Sequence, residues 1–118
     1  MKGEVLAKFD ILCLQEVFSG NGNTRKIEMI ESAKEAGLEY VFACPEPEHL
    51  YERCGGTVIV SRFPIIEQDF IGFQPGVQNV YYKGVSYAKI QVGDERSLHI
   101  FNTHLQHSDM SFTNEENE

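Results

Sequence analysis

The sequence predicts an α/β domain built on mostly antiparallel sheet. Three observations carry this. Two short apolar runs, Ile11-Leu12-Cys13-Leu14 and Thr57-Val58-Ile59-Val60, have the length and composition of buried strands. Residues 85–92 and 98–103 alternate in polarity on either side of a Gly93-Asp94-Glu95-Arg96 turn, the pattern of a hairpin. Between the first run and the strand that follows it lies a single helical stripe, Ile27, Ile30 and Ala33.

Taken in order, residues 1–9 read as a short helix with Val5, Leu6 and Phe9 at helical spacing. The run at 11–14 suits a strand covered on both faces, although a short buried helix would show the same pattern. Ser19 to Thr24 is loop by composition, and Asn23 or Thr24 can cap the helix that follows. Arg25, Lys26, Glu28, Glu31, Lys34 and Glu35 form that helix's solvated face. Gly37 fits the position just past its end, with Leu38 making the apolar contact beyond.

Tyr40 to Cys44 is the second strand, which Pro45 and Pro47 end. A polar loop then runs through Cys54, and Gly55-Gly56 precede the third strand. Ser61 to Ile66 turns into an extended segment ending near Phe73, and residues 72–82 read as a loop. In the hairpin, Ser86, Ala88, Ile90 and Val92 share one face, and Leu98, Ile100 and Asn102 alternate against His99, Phe101 and Thr103. The domain is expected over 1–107. Residues 108–118 are polar and acidic and are expected to form a disordered tail.

Composition bounds the function. The chain has 118 residues, is 42% hydrophobic and carries a formal net charge of −8. That charge argues against a generic basic surface for nucleic acid. It leaves phosphate chemistry open, because a divalent cation can supply local positive charge. No apolar run approaches the ~20 residues of a membrane span. The N-terminal decapeptide lacks the apolar stretch of a secretory signal. Cys13, Cys44 and Cys54 show no CxxC spacing. Cys13 and Cys44 sit in apolar runs and read as buried reduced thiols, which favours a reducing compartment and a cytoplasmic location.

Two strand ends hold the candidate chemistry. Glu16 follows the first apolar run and precedes a Gly/Asn-rich loop. A carboxylate so placed is ordinarily just solvated, but it can also reach a metal or substrate from a rigid base. His104 ends the last strand, with Asn102 two residues before it. Their spacing lets both side chains leave on one face, as donors aimed at one anionic oxygen.

In combination these segments resemble a known family. Leu-Gln-Glu-Val at 14–17, Gly-Gly-Thr-Val-Ile-Val-Ser-Arg-Phe-Pro-Ile at 55–65 and Asn-Thr-His-Leu-Gln at 102–106 resemble, in order and spacing, the endonuclease/exonuclease/phosphatase superfamily typified by DNase I. Lys-Gly-Val-Ser-Tyr-Ala-Lys-Ile at 83–90 looks most like its neutral sphingomyelinase branch. The resemblance covers residues 9–106. It implies part of a four-layer α/β/β/α sandwich and cleavage of phosphate esters with Mg²⁺. Phospholipid or nucleic acid would be the substrate, with peripheral membrane contact for a lipid one. It also implies that Glu16 binds the metal, that His104 contacts the scissile phosphate, and that Asn102 supports the site. Ser61 and Arg62 match the family turn and are given a structural role.

The family's Asn-bearing first strand, its Asp-x-Asn motif, its later Asp and its terminal Asp-His pair have no counterpart here. The chain therefore reads as the N-terminal half of such a domain and is expected to be inactive alone. A nuclease, an inositol-phosphate phosphatase and a non-catalytic interaction module are the alternative readings.

Overall fold

In a computed structural model of the protein, residues 3–17, 24–46, 53–73 and 81–105 are described. The proposed tail at 108–118, the loop at 19–23 and most of the loop read at 72–82 lie outside them. The elements are α1 (Gly3–Leu6), β1 (Ile11–Leu14), α2 (Thr24–Glu35), β2 (Tyr40–Ala43), β3 (Arg53–Cys54), β4 (Val58–Ser61), β5 (Ile65–Gly72), β6 (Tyr81–Tyr82), β7 (Gly84–Gln91) and β8 (Ser97–Thr103).

Two antiparallel sheets carry the architecture, ordered β1-β4-β2 and β5-β7-β8. The β-branched run of β4 takes the centre of the first sheet, and Val58, Ile59, Val60 and Ser61 are all fully buried. Alternation along β4 then assigns each residue to a side. Val58 and Val60 face the helices, packing with Leu6 of α1, Ala33 of α2 and Leu38. Ile59 faces the other sheet, against Ala88 and Ile90 of β7. Helices, first sheet and second sheet thus stack as three layers. The outward face of the second sheet leaves Ile71 and Phe101 about two-thirds exposed.

β7 and β8 form the expected hairpin. Along β7 burial alternates strictly, with Ser86, Ala88 and Ile90 inward. Register pairs Ser86 with Asn102 and Ala88 with Ile100, so these four share the inner face. Val92 N–H donates to Arg96 O at 2.9 Å across the turn. A short parallel pairing of β3 with β6 was not foreseen: Tyr81 and Tyr82 fall in a stretch read as loop. Two-residue strands carry too little periodicity to be seen in sequence.

Three other expectations need correcting. β1 is covered on both faces except at Cys13: Leu12 and Leu14 pack on the helix side and Ile11 on the second sheet's cluster. Cys13 shares the Ile59 side of the first sheet, yet it is exposed, because on this edge strand the second sheet's apolar cluster covers Ile11 and not Cys13. Partial burial still pushes its thiol above the ordinary value. Cys44 is buried, as expected. Among the described side chains of α1, Leu6 is buried and Val5 is exposed, and Phe9 lies past the helix end and is exposed, since a helix of 4 residues has little inward surface. In α2, Ile27 is 49% exposed and Met29 packs on the core instead.

The end of α2 is a Schellman motif. Gly37 has φ +94°, Leu38 N–H donates to Ala33 O at 2.9 Å, and Gly37 N–H donates to Lys34 O at 3.0 Å. Leu38 is fully buried. Arg62 packs against this corner. Its guanidinium donates to Ala7 O, Phe9 O and Asp10 Oδ1, tying the residues after α1 to the β4–β5 turn. Ser61 Oγ accepts from Phe63 N–H within that turn. The structural role read for Ser61 and Arg62 is therefore visible in their hydrogen bonds.

A Cβ on Gly37 would stand 2.5 Å from Arg62 Nη1 and would sit on a left-handed backbone. Gly37→Ala is expected to destabilise the chain by at least about 1 kcal/mol, read from urea denaturation midpoints.

Candidate active site

The C-terminal end of β1 and the C-terminal end of β8 meet at one rim of the sandwich. Glu16 Oε1 lies 3.9 Å from His104 Nε2. The carboxylate is 67% exposed and the imidazole 30%, so this pair opens to solvent with the rigid sheets behind it. The two groups singled out from sequence, 88 positions apart in the chain, are brought together by the fold. His104 Nδ1 is buried and has no hydrogen-bond partner among the described residues. A buried polar atom left so costs about 1–3 kcal/mol, a cost that active sites tolerate.

Glu16 has φ +59° and is the one non-glycine residue with positive φ among those described. The left-handed conformation costs an L-residue on the order of 1–2 kcal/mol. Its neighbours explain why it persists. Val17 is buried, and its N–H donates to Gly56 O at 2.9 Å. On the other side, Leu14 O accepts from Asn102 Nδ2 at 3.0 Å.

Asn102 is placed differently from expectation. Its side chain does not face an anion beside His104. It is 2% exposed and points between the sheets. Nδ2 donates to Leu14 O and to Val58 O at 3.2 Å, so both amide hydrogens are committed to backbone carbonyls. Oδ1 accepts from Gln15 Nε2 at 3.0 Å. The reason is register: position 102 pairs with Ser86 on the inner face, whereas His104 lies past the last strand residue and is free to turn outward.

Sequence reasoning missed Gln15, Thr57 and Ser86 as contributors. Thr57 and Ser86 share a buried hydroxyl–hydroxyl hydrogen bond of 2.8 Å between the sheets. One signal was available: Ser86 is the polar member of an otherwise apolar face, as Asn102 is on the adjacent strand. A polar residue on an apolar face announces a buried partner without naming it.

The described residues hold no group of three or more His, Cys, Asp or Glu that could bind a metal ion. Glu16 alone still suits a hard cation such as Mg²⁺, which takes one or two carboxylates and completes its shell with water and substrate phosphate. No described helix is long and apolar enough to cross a membrane.

No family model matches the chain. Two curated proteins do. The chain is 37% identical over 116 residues to a sphingomyelinase of Dictyostelium discoideum, covering 88% of this chain and 25% of that protein. It is 32% identical over 111 residues to sphingomyelinase C of Bacillus cereus, covering 85% of this chain and 33% of that protein. It thus spans a quarter to a third of the length of these relatives. Among solved structures, a β-hairpin deletion mutant of Staphylococcus aureus beta toxin superposes with a TM-score of 0.73 at 20% identity, over 92% of this chain and 44% of that one. A beta toxin mutant with bound magnesium ions gives 0.68 at 22% identity, over 92% and 42%. An endonuclease/exonuclease/phosphatase family protein from Leptotrichia buccalis gives 0.64 at 13% identity, over 88% and 45%.

The chain therefore has part of the DNase I-like fold of the endonuclease/exonuclease/phosphatase superfamily. Its sequence is similar to those of the two sphingomyelinases.

Strain at Glu16 makes a prediction about stability. Glu16→Gly is expected to be neutral or stabilising by up to about 1 kcal/mol, whereas Glu16→Val loses more than about 1 kcal/mol, because a β-branched residue tolerates positive φ worst. Urea unfolding of the two variants separates these outcomes.

Proposed function

We propose that this chain carries the Glu16–His104 part of a Mg²⁺-dependent phosphodiesterase site acting on a sphingomyelin-type phospholipid. The single observation that supports it is the approach of carboxylate and imidazole to 3.9 Å at the rim of the two sheets. The names of the relatives supply the substrate class. The beta toxin mutant with bound magnesium supports the choice of ion. The net charge of −8 favours this reading over a nucleic-acid substrate.

Each residue has a role that its geometry permits. Glu16 presents a solvated oxygen ligand from a backbone fixed on both sides. Glu16 would be a ligand of a magnesium ion, which would supply polarisation of a phosphoryl oxygen and offset developing charge. His104 turns Nε2 toward the same space and can donate a hydrogen bond to a non-bridging phosphate oxygen as negative charge grows on it. The donor must be the Nε2–H form, since Nδ1 faces the protein interior. Water activation falls to no residue in the described set.

Titration of the ¹⁵N-labelled chain with MgCl₂ tests the metal assignment. Amides of residues 15–17 are expected to shift, and Glu16→Gln is expected to abolish the response. Shifts absent from that segment, or persisting in the variant, would overturn it. In a form extended to the length of its relatives, Glu16→Gln and His104→Ala should each lower phosphocholine release from sphingomyelin by about 100-fold or more. DNA and phosphoinositides serve as the competing substrates.

A further inference from the structure

We infer that Gln15 and Asn102 are positioning residues whose side-chain pair sets the direction of the Glu16 carboxylate and its distance from His104. The inference rests on the reading of Glu16 and His104 as the site. It assigns to Asn102 a task other than donating to substrate, and to Gln15 a task at all.

The geometry is that of a clamp with two fixed points. One is Leu14–Gln15, held by Asn102 through Nδ2 to Leu14 O and through Oδ1 from Gln15 Nε2. The other is Val17, held by its buried side chain and its bond to Gly56 O. Gly56 itself has φ +79°, a turn that brings its carbonyl to this place. Between the two points only Glu16 is free to close the chain, and it does so at φ +59°. Releasing either point lets Glu16 relax to an ordinary backbone conformation, which turns its carboxylate elsewhere.

The same amide governs the other partner. Asn102 lies two residues before His104, and between them Thr103 Oγ1 donates to Gly84 O at 2.9 Å. The end of β8 is thus docked on the end of β1 through Asn102 and on β7 through Thr103. One buried side chain connects the backbones that carry both site groups. Its amide is satisfied by three partners on the first sheet, which is the bonding expected of a scaffold rather than of a group kept free for substrate.

Asn102→Ser leaves Leu14 O and Val58 O without a donor and can unfold the chain, so Gln15→Leu carries the test. Gln15 is exposed as a residue, and its loss removes only the bond to Asn102 Oδ1. The readout is the NOE between the His104 ring and the Glu16 side chain, together with the one-bond Cα–Hα coupling of Glu16, which reports positive φ. The 118-residue chain is used throughout. Gln15→Leu leaves the buried Asn102 Oδ1 without this donor and is expected to lower the melting temperature by about 4–8 °C while the chain stays folded. It is also expected to abolish the NOE, return the coupling to that of negative φ, and weaken Mg²⁺ binding several-fold. An unchanged NOE and coupling in a folded Gln15→Leu would overturn the proposal. A wild-type chain that shows the NOE but no response to Mg²⁺ would overturn the metal reading alone, leaving the clamp to stand or fall by its own readout.

Discussion

The Asn102 amide is the constraint on which the rest of the site depends. It is buried between two sheets, where an unmet hydrogen bond is expensive; its Nδ2 bonds to the backbone of the first sheet and its Oδ1 to the Gln15 side chain, while it belongs to the second sheet. A second polar contact, Thr57 to Ser86, lies on the adjacent strand of the same inner face. Ile59, Ala88 and Ile90 fill the remainder of the interface with apolar contact. Apolar packing supplies the bulk of the stabilisation and is indifferent to small slides of one sheet on the other. The directional bonds are what fix the register of the two sheets at the end where Glu16 and His104 emerge.

This arrangement also accounts for where strain is placed. The left-handed Glu16 and the unpartnered His104 Nδ1 are both unfavourable by themselves, and they are neighbours in space. Structural corners elsewhere are relaxed: Gly37 occupies the positive-φ position at the end of α2, and Arg62 satisfies carbonyls that would otherwise lack a donor. Among the described residues these two unfavourable features stand together at one rim, which supports the proposed site.

Much of the fold was legible because period and punctuation agreed. The strict alternation of β7, the turn that follows it and the Gly37-Leu38 stop of α2 left little freedom. The two candidate site groups each stand at the end of a strand, but it was the family resemblance of the segments around them that singled them out. What sequence could not show was where the second sheet stops. Cys13 reads as core and lies exposed because coverage of an edge strand depends on the neighbouring layer and not on local pattern. Asn102 was found but misdirected: spacing of two from His104 implies a shared face only while the strand continues, and β8 ends at Thr103. Gln15 was invisible as a contributor, since an exposed amide beside a carboxylate carries no periodic signal.

The central claim is that Glu16 and His104 bracket one cation-bound phosphate. It is tested most directly by a crystal structure of the chain grown with Mg²⁺ and phosphocholine. The account predicts an ion at about 2.0–2.1 Å from a Glu16 carboxylate oxygen, with His104 Nε2 hydrogen-bonded to the phosphate that shares it. Density for the ion away from Glu16, or a phosphate that His104 does not touch, would contradict it.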